Sequence, residues 1–130
     1  MKKYLNPHEI YPPTGQFTQA IKVTGGSLVF VSGLVGYEPD MTIAKGDIVR
    51  QAEVAYENLR KVMEAAGGSL ADVVKVTIYI GEDFQLRRDE LREVRGRYFA
   101  DRFPVSTLIQ VAGFASHDYL FELEAVAVLP

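Results

Sequence analysis

The chain has 130 residues, of which 48% are hydrophobic and 24% are charged, and its formal net charge is −3. This length and mixture are typical of one globular domain with a hydrophobic core, so we expect residues 1–130 to form a single domain. The acidic balance argues against general binding to nucleic acid or to an acidic membrane. The sequence has no cysteine, which excludes disulfides, thiol catalysis and cysteine-ligated zinc.

The sequence also limits the location of the protein and its cofactors. The first residues hold no apolar signal core, and no segment approaches the roughly 18 apolar residues of a membrane span. We therefore expect a cytoplasmic protein that does not bind membranes. The two histidines, His8 and His117, lie far apart with no ligand spacing around them, so we expect no metal and no cofactor.

The N-terminal third predicts an arm and two strands. Residues 1–16 contain three prolines and are expected to form an extended arm. Residues 17–23 are predicted to form a strand. The pair Gly25-Gly26 then predicts a hairpin into a second strand, residues 28–32, which Gly33 would end.

Two helices and three further strands follow. Asp47 is a predicted N-cap, and apolar residues recur behind it at helical spacing until Gly67-Gly68 ends the helix. A strand is predicted over residues 73–80. Asp83 is expected to cap a second helix, and the last two strands are predicted over residues 105–111 and 120–128. The apolar face of the second helix comprises Phe84, Leu91, Val94, Tyr98 and Phe99.

The element order ββαβαββ predicts an α+β fold, with a mixed sheet backed by two helices on one face. The strands contain more apolar residues than two helices readily cover. We therefore expect self-association to cover the other face of the sheet. The apolar strand residues behind this expectation are Val29, Val31, Val76, Ile78, Leu108, Val126 and Val128.

Two carboxylates lie within the apolar segment of residues 120–128. In a strand, alternate residues share a face, so Glu122 and Glu124 project from the same side. A carboxylate there needs a partner, an interface or water, because a buried unpaired charge is very costly. The pair is therefore the best candidate for acid–base chemistry. The alternative for Glu124 is a structural ion pair with Lys22 or Lys75.

Several local strings resemble the Rid family, also called the YjgF/YER057c/UK114 family, whose members are small trimeric proteins that include imine and enamine deaminases. The resemblance extends from about Gly15 to Val128. The matching strings are residues 15–20, 31–33, 46–48, 57–59, 65–70, 72–75, 98–99 and 122–127.

This resemblance implies a chorismate mutase-like homotrimer with ligand clefts between neighbouring subunits. In the deaminating members an arginine binds the substrate carboxylate, and a glutamate positions the water that attacks the imine carbon. That glutamate matches Glu122, for which the alternative role is an ion pair across the trimer interface. The implied reaction is metal-free hydrolysis of an imine or enamine.

The chain departs from the family pattern at three positions. The family arginine lies in a Pro-x-Arg-Ser/Thr string, and here residues 104–107 place Ser106 at its position. The usual site tyrosine is replaced by Phe17, and a site asparagine on the second helix is replaced by Arg92. A serine cannot replace a bidentate guanidinium, so the sequence predicts a substrate other than 2-aminoacrylate, with Arg92 as the candidate replacement cation.

The remaining candidate ligand-binding residues each have a structural alternative. Ser32 and Gly33 could offer a backbone N–H to a ligand or simply end a strand. Ser106 and Thr107 could hydrogen-bond a polar ligand or merely stand at the start of a strand. Arg92 could bind an anion or lie solvated in a charged helix.

Two other functions remain open beside the deaminase. One is a non-catalytic trimer that binds a small metabolite in the same clefts and acts as a regulator, which the serine at position 106 favours. The other is a ribonuclease or translation inhibitor, against which the acidic balance and the lack of a basic stripe with aromatics both count. The sequence does not identify the substrate.

Overall fold

The computed structural model describes residues 1–81, 84–100 and 102–130. The predicted N-cap Asp83 lies outside the described residues. The strands and helices are β1 (Lys2–Leu5), β2 (Ala20–Val23), β3 (Ser27–Val35), α1 (Ile48–Ala65), β4 (Val73–Ile80), α2 (Phe84–Tyr98), β5 (Val105–Gln110) and β6 (Phe121–Leu129), with a short 3₁₀ helix at Leu70–Asp72.

A four-stranded mixed sheet forms the centre of the fold. Its strand order is β3-β6-β4-β5, in which β4 and β5 are parallel and the other neighbours are antiparallel. Helix α2 connects the two parallel strands, as such a connection requires. Residues from both helices and from one face of the sheet form the core, which confirms the predicted α+β fold.

The first helix begins and ends where its sequence predicts. The Asp47 side chain accepts a hydrogen bond from the Arg50 backbone N–H at 3.0 Å, which satisfies one of the free N–H groups of the first turn. Gly67 follows the helix with a φ of +86°, a left-handed conformation that suits glycine.

The predicted hairpin at Gly25-Gly26 is wrong in its pairing. Both glycines have the positive φ of a turn, but β2 pairs with β1 in a separate two-stranded sheet rather than with β3. The arm therefore begins with a strand. Turn chemistry specifies a reversal of the chain, whereas the partner of β2 depends on a segment some twenty residues away in sequence.

The predicted end of the second strand at Gly33 is also wrong. Strand β3 continues to Val35, and its register with β6 shifts between Val31 and Leu34. Two residues, Ser32 and Gly33, lie opposite one residue of β6, which is the geometry of a β-bulge. Gly33 therefore lies in a β-bulge and does not end the strand.

The helices cover part of the apolar strand set on which the expected self-association rests. Val31, Val76 and Ile78 belong to the core beneath the helices. The large apolar residues that β3 leaves exposed are Leu28, at 62%, and Phe30, at 76%. An exposed phenylalanine and leucine on one sheet face are characteristic of a surface that binds another protein chain.

A buried glutamine positions the segment that leads into β6. The Gln51 Nε2 atom donates hydrogen bonds to the backbone oxygens of Ala44 and Asp118, each at 2.9 Å, and its Oε1 atom accepts one from the Leu120 N–H at 2.9 Å. Gln51 is fully buried, so these three bonds meet the polar groups that burial would otherwise leave unsatisfied. They fix the start of the strand that carries Glu122.

Candidate functional site

A cavity of about 230 Å³ lies between the N-terminal arm, helix α2 and the sheet. At roughly 30 Å³ per water molecule it has room for seven or eight waters, which suits a small metabolite. Its lining is mostly apolar, with a cationic side formed by α2. The lining residues are Thr14, Gly15, Gln16, Phe17, Tyr56, Ile78, Ile80, Arg88, Leu91, Arg92, Arg95, Ser106, Leu108 and Phe121.

The arm is held against β5 by backbone and side-chain contacts. The Thr18 N–H donates to the Pro104 oxygen at 3.2 Å, and the Thr18 hydroxyl donates to the Phe103 oxygen at 2.6 Å. Gln16 packs so closely on α2 that a Cβ atom at Gly96 would lie 2.9 Å from its Nε2 atom. These contacts place Phe17 at the cavity, as the family resemblance implies.

Strand β5 sends its side chains alternately to the two faces of the sheet. Ser106 is in register with buried Val76 and lines the cavity, whereas Thr107 is in register with Thr77 on the open face. The two predicted binding residues therefore point in opposite directions. Within one protomer, only Ser106 belongs to the cavity.

The cation that reaches Ser106 is Arg95, which the sequence analysis missed. Its Nη1 atom donates to the Ser106 Oγ atom at 2.9 Å, while its Nε and Nη2 atoms are buried without a hydrogen-bond partner. Burial lowers the pKa of Arg95, and the nearby Tyr56 opposes that shift. A sequence signal existed, because Arg95 lies four residues after Leu91 and four before Phe99, on the apolar face of α2.

The predicted replacement cation, Arg92, also lines the cavity, but it is exposed. Arg88 lies one helical turn before it and is exposed as well. Neither has an ion pair with the described part of the chain. Arg88, Arg92 and Arg95 therefore form a cationic row along one side of α2, and only Arg95 is directed at the strand.

Tyr56 of α1 contributes a buried phenol to the cavity. Its ring stacks on Tyr98, with ring centroids 5.4 Å apart, and contacts Phe121 at 5.7 Å. Burial raises the pKa of Tyr56 to about 12, against an opposing effect of the Arg95 charge. The phenol is therefore neutral at ordinary pH, and the cavity contains positive charge without a compensating anion from this residue.

Glu122 and Glu124 project from the open face of β6, as predicted. Glu122 is in register with Tyr79 and Val35, and it is half-buried. Its carboxylate makes neither a hydrogen bond nor an ion pair with the described residues. A Cβ atom at Gly33 would overlap the Glu122 Oε2 atom, so the glycine in the bulge leaves the space that this carboxylate occupies.

Glu124 has a different environment from Glu122. The Tyr79 hydroxyl donates a 2.6 Å hydrogen bond to the Glu124 Oε1 atom, and this bond is the main cause of a raised pKa of Tyr79. The expected pairing with Lys22 or Lys75 is not found among the described residues. Its hydrogen bond to a neighbouring strand indicates a structural role, which leaves Glu122 as the free carboxylate.

The sheet separates the predicted site residues into two groups. Phe17, Arg92 and Ser106 line the cavity beneath the helices. Glu122 and Thr107 lie on the open face, where Ser32 lines a shallow pocket with Thr77 and Glu124, and Gly33 borders Glu122. One protomer therefore does not bring Glu122 to Ser106.

Metal and membrane features are not found in the described ranges. No cluster of three or more histidine, aspartate or glutamate side chains is arranged there to hold a metal ion. Likewise, neither described helix has the length and apolar character needed to cross a membrane.

The fold and the divided site define a class of small α+β proteins with a two-helix layer and one uncovered sheet face. A structure of a Rid family protein from Yersinia pestis has this fold, with a TM-score of 0.91 at 24% identity over 98% of both chains. The family model described as Endoribonuclease L-PSP matches residues 8–129. The chain therefore belongs to this family, which is the Rid family that the sequence resembles.

Relatives of known name support the same membership. A RutC family protein of Pyrococcus abyssi is 39% identical over 118 residues, which cover 88% of this chain and 87% of that protein. A protein of Dermatophagoides farinae named 2-iminobutanoate/2-iminopropanoate deaminase is 32% identical over 120 residues, which cover 90% of this chain and 88% of that protein. The family thus includes proteins named for imine deamination.

Proposed function

We propose that this protein hydrolyses the C=N bond of a small imine or enamine in clefts between the subunits of a homotrimer. One observation carries the proposal. An unpaired carboxylate, Glu122, lies on one face of the sheet, and a cavity with a buried guanidinium lies on the other. The two complement each other chemically, and a neighbouring subunit is the simplest means of bringing them together.

The reaction needs only a positioned water and a base. Glu122 accepts a proton from the water as its oxygen bonds to the imine carbon, and the C=N π electrons move to nitrogen. The proton passes to nitrogen and gives a carbinolamine. The carbinolamine hydroxyl then loses its proton through Glu122 while the nitrogen gains one, so the C–N bond breaks as the C=O bond forms, and ammonia leaves a carbonyl product. An enamine enters this sequence after tautomerising to its imine. Orientation and general base catalysis suffice for such a reactive bond.

The open face of the sheet supports the assembly that this mechanism requires. Leu28 and Phe30 expose apolar side chains on the same sheet face that carries Ser32 and Glu122. A neighbour packed on this face would bury the apolar residues and receive Ser32, Gly33 and Glu122 at the mouth of its cavity. We expect a sedimentation mass of three subunits at micromolar concentration. A mass of one subunit would contradict the proposed cleft.

A subunit-mixing experiment tests the shared cleft directly. Ser106→Trp would fill much of the cavity, and Glu122→Gln removes the base, so each variant alone should release little ammonia. Unfolding and refolding them together in equal amounts should restore about a quarter of native activity, because a working cleft takes its cavity from one variant and its carboxylate from the other. No recovery from correctly sized mixed trimers would place both groups in the same subunit's site.

The substrates for this assay are imines made in situ from amino acids by an amino-acid oxidase. The deaminase of Dermatophagoides farinae is named for 2-iminobutanoate and 2-iminopropanoate, so both belong in the panel. We expect the preferred substrate to differ from 2-aminoacrylate and its imine, because Ser106 stands where the family's substrate-binding arginine is expected. A longer or bulkier imine should therefore turn over faster than 2-iminopropanoate.

The second candidate function is a regulatory trimer that binds a small metabolite without converting it. The position of Glu122 across the sheet from the cavity favours this reading, since a ligand could be held by the cavity alone. Binding of the stable 2-oxo acids without ammonia release from any imine of the panel would support the regulatory role. Ammonia release that Glu122→Gln abolishes would exclude it.

A further inference from the structure

We infer that Arg95 is the carboxylate-binding residue of the cavity, so that this chain supplies the guanidinium from helix α2 and not from strand β5. The inference names the ligand as a small 2-oxo or 2-imino carboxylate. It rests on the proposed function only in taking the same cavity as the ligand site. Carboxylate binding itself does not require that the ligand be hydrolysed.

The hydrogen bonds of Arg95 leave one edge of the guanidinium without a partner. Nη1 donates to the Ser106 Oγ atom at 2.9 Å, and Nε and Nη2 have no partner. Nε and Nη2 carry the two parallel N–H bonds on one side of the guanidinium, the arrangement that a carboxylate accepts in bidentate fashion. The Ser106 hydroxyl thus fixes one end of the fork and leaves the other edge for a ligand.

The burial of this cation has no explanation within the protomer. Among the described residues that line the cavity, none is an aspartate or a glutamate. Arginine is rarely buried without a charged partner, because removing the guanidinium from water is costly. Arg92 and Arg88 add further positive charge to the same side. An anion that enters the cavity would remove this imbalance.

The apolar wall restricts the rest of the ligand. The cavity lining also includes Phe17, Ile80, Leu108 and Phe121. This wall suits a hydrocarbon or planar unsaturated chain attached to the carboxylate, and it disfavours a strongly hydrated ligand such as phosphate. A small α-oxo or α-imino acid with an aliphatic side chain meets both requirements.

The change of element moves the position of the carboxylate. An arginine at position 106 would carry its guanidinium about 6 Å from the strand backbone, roughly the reach of the extended side chain. Arg95 instead brings its guanidinium to the Ser106 hydroxyl, close to the strand. The carboxylate would therefore bind near the same strand, but on a guanidinium that approaches from the helix side of the cavity.

Binding requires a small movement of Arg95. Its Nε and Nη2 atoms are covered in the protomer, so the guanidinium must turn towards the cavity when a carboxylate enters. Ser106 provides a pivot for this rotation, because a hydroxyl can follow the guanidinium by rotating about its own Cα–Cβ bond. We therefore expect Ser106→Ala to weaken binding less than loss of Arg95.

The test is calorimetric titration of the full-length protein with 2-oxobutanoate and with its uncharged amide. The variants are Arg95→Met, which removes the charge, and Arg95→Lys, which keeps the charge without the fork. Arg97→Gln is the matched control, because it removes the same charge from the same helix at a residue that pairs with Glu53 outside the cavity.

Native protein should bind 2-oxobutanoate at least tenfold more tightly than the amide. Arg95→Met should lose about ten- to a hundredfold in affinity for the acid and little for the amide, as expected for a charge-assisted contact. The affinity of Arg95→Lys for the acid should lie between those of Arg95→Met and the native protein. The affinity of Arg97→Gln should match that of the native protein. Arg95→Met should also melt no lower than native, because it removes an unpaired buried charge.

Three results would overturn the inference. They are equal binding of acid and amide by native protein, no measurable binding of the acid at millimolar concentration, and unchanged acid affinity in Arg95→Met. If that variant does not fold, Arg95→Lys and the acid–amide comparison decide the matter. An ammonia assay run in parallel separates this outcome from that of the proposed hydrolysis, because carboxylate binding can stand without activity.

Discussion

The two faces of the four-stranded sheet carry uncompensated charges of opposite sign. The helix-covered face buries the Arg95 guanidinium with one hydrogen bond, to Ser106. The open face carries Glu122, a half-buried carboxylate without a partner in the described residues. Each face alone is left with an uncompensated charge, and the proposed cleft between subunits would bring the two charges together.

The same comparison explains why two adjacent glutamates of β6 differ in role. Glu124 accepts a hydrogen bond from Tyr79 of the neighbouring strand and so contributes to the sheet. Glu122 instead lies against Gly33 in the bulge of β3, where a Cβ atom would overlap its Oε2 atom. The bulge therefore separates a structural carboxylate from a free one within a single strand.

The largest expected effect is on Glu122. Glu122→Gln should lower imine hydrolysis by about a hundredfold or more, because a general base contributes roughly 10²- to 10⁴-fold. The amide is nearly isosteric, so the sedimentation mass should not change. Ammonia release measures the activity.

Glu124→Gln is the control for that variant. It should keep most of the activity and lose about 1 kcal/mol or less of unfolding free energy, through a weaker bond from Tyr79. If both variants were equally inactive, the contrast between the two carboxylates would be lost.

The second prediction concerns how the free energy of unfolding depends on pH, and it compares the buried Tyr56 with Tyr79 on the open face. Burial raises the pKa of Tyr56 to about 12 in the folded protein, so between about pH 10 and 12 the folded state holds a proton that the unfolded state releases. The free energy of unfolding should therefore be constant below pH 10 and fall by up to about 3 kcal/mol as the pH approaches 12. Urea unfolding at a series of pH values measures this fall.

The control is Tyr56→Phe, whose stability should decline less steeply over the same interval. Tyr79 on the open face also has a raised pKa, but it is solvated, so Tyr79→Phe should leave most of the decline in place. If the free energy of unfolding of Tyr56→Phe declined as steeply as that of the native protein, the decline would come from other titrating groups.

The third prediction concerns the bulge. Gly33→Ala places a methyl group where the Glu122 Oε2 atom lies, so the carboxylate must move. We expect about a ten- to hundredfold loss of activity, because a displacement of about 1 Å can cost that much. The stability change should stay below about 1 kcal/mol, since the obstructing atom belongs to the end of a flexible side chain.

Gly113→Ala is the matched control for the bulge, because a Cβ atom at that glycine meets no atom within 4 Å. Its activity and melting temperature should equal those of the native protein. Undiminished activity in Gly33→Ala would mean that the position of Glu122 does not matter to the reaction.

The smallest expected effect is on Arg92. This side chain lines the cavity but is exposed to solvent, where charge interactions are weak and screened by salt. Arg92→Gln should weaken 2-oxobutanoate binding by about threefold or less, and the difference should shrink as the salt concentration rises. If Arg92→Gln lost more affinity than Arg95→Met, Arg92 and not Arg95 would be the main anion-binding residue.

Local sequence patterns predicted most of the secondary structure and the shared sheet face of the two glutamates in β6. The alternation in residues 120–128 correctly put Glu122 and Glu124 on one face, and Asp47 and Gly67 correctly bounded α1. These features depend on neighbours within a few residues, where the chain's own periodicity decides the geometry. The membership of the Rid family was likewise readable from local strings and is confirmed by the family match.

The strand pairings and the identity of the buried cation depend instead on contacts between elements that are distant in sequence. The paired residues of β1 and β2 are 15 to 21 positions apart in sequence, and Glu124 contacts Tyr79 rather than a lysine. Arg95 appears in the sequence as one of several arginines in a charged helix. The rotation of α2 against β5 alone directs it to Ser106, because packing between distant elements, and not local propensity, chooses which side of a helix is buried.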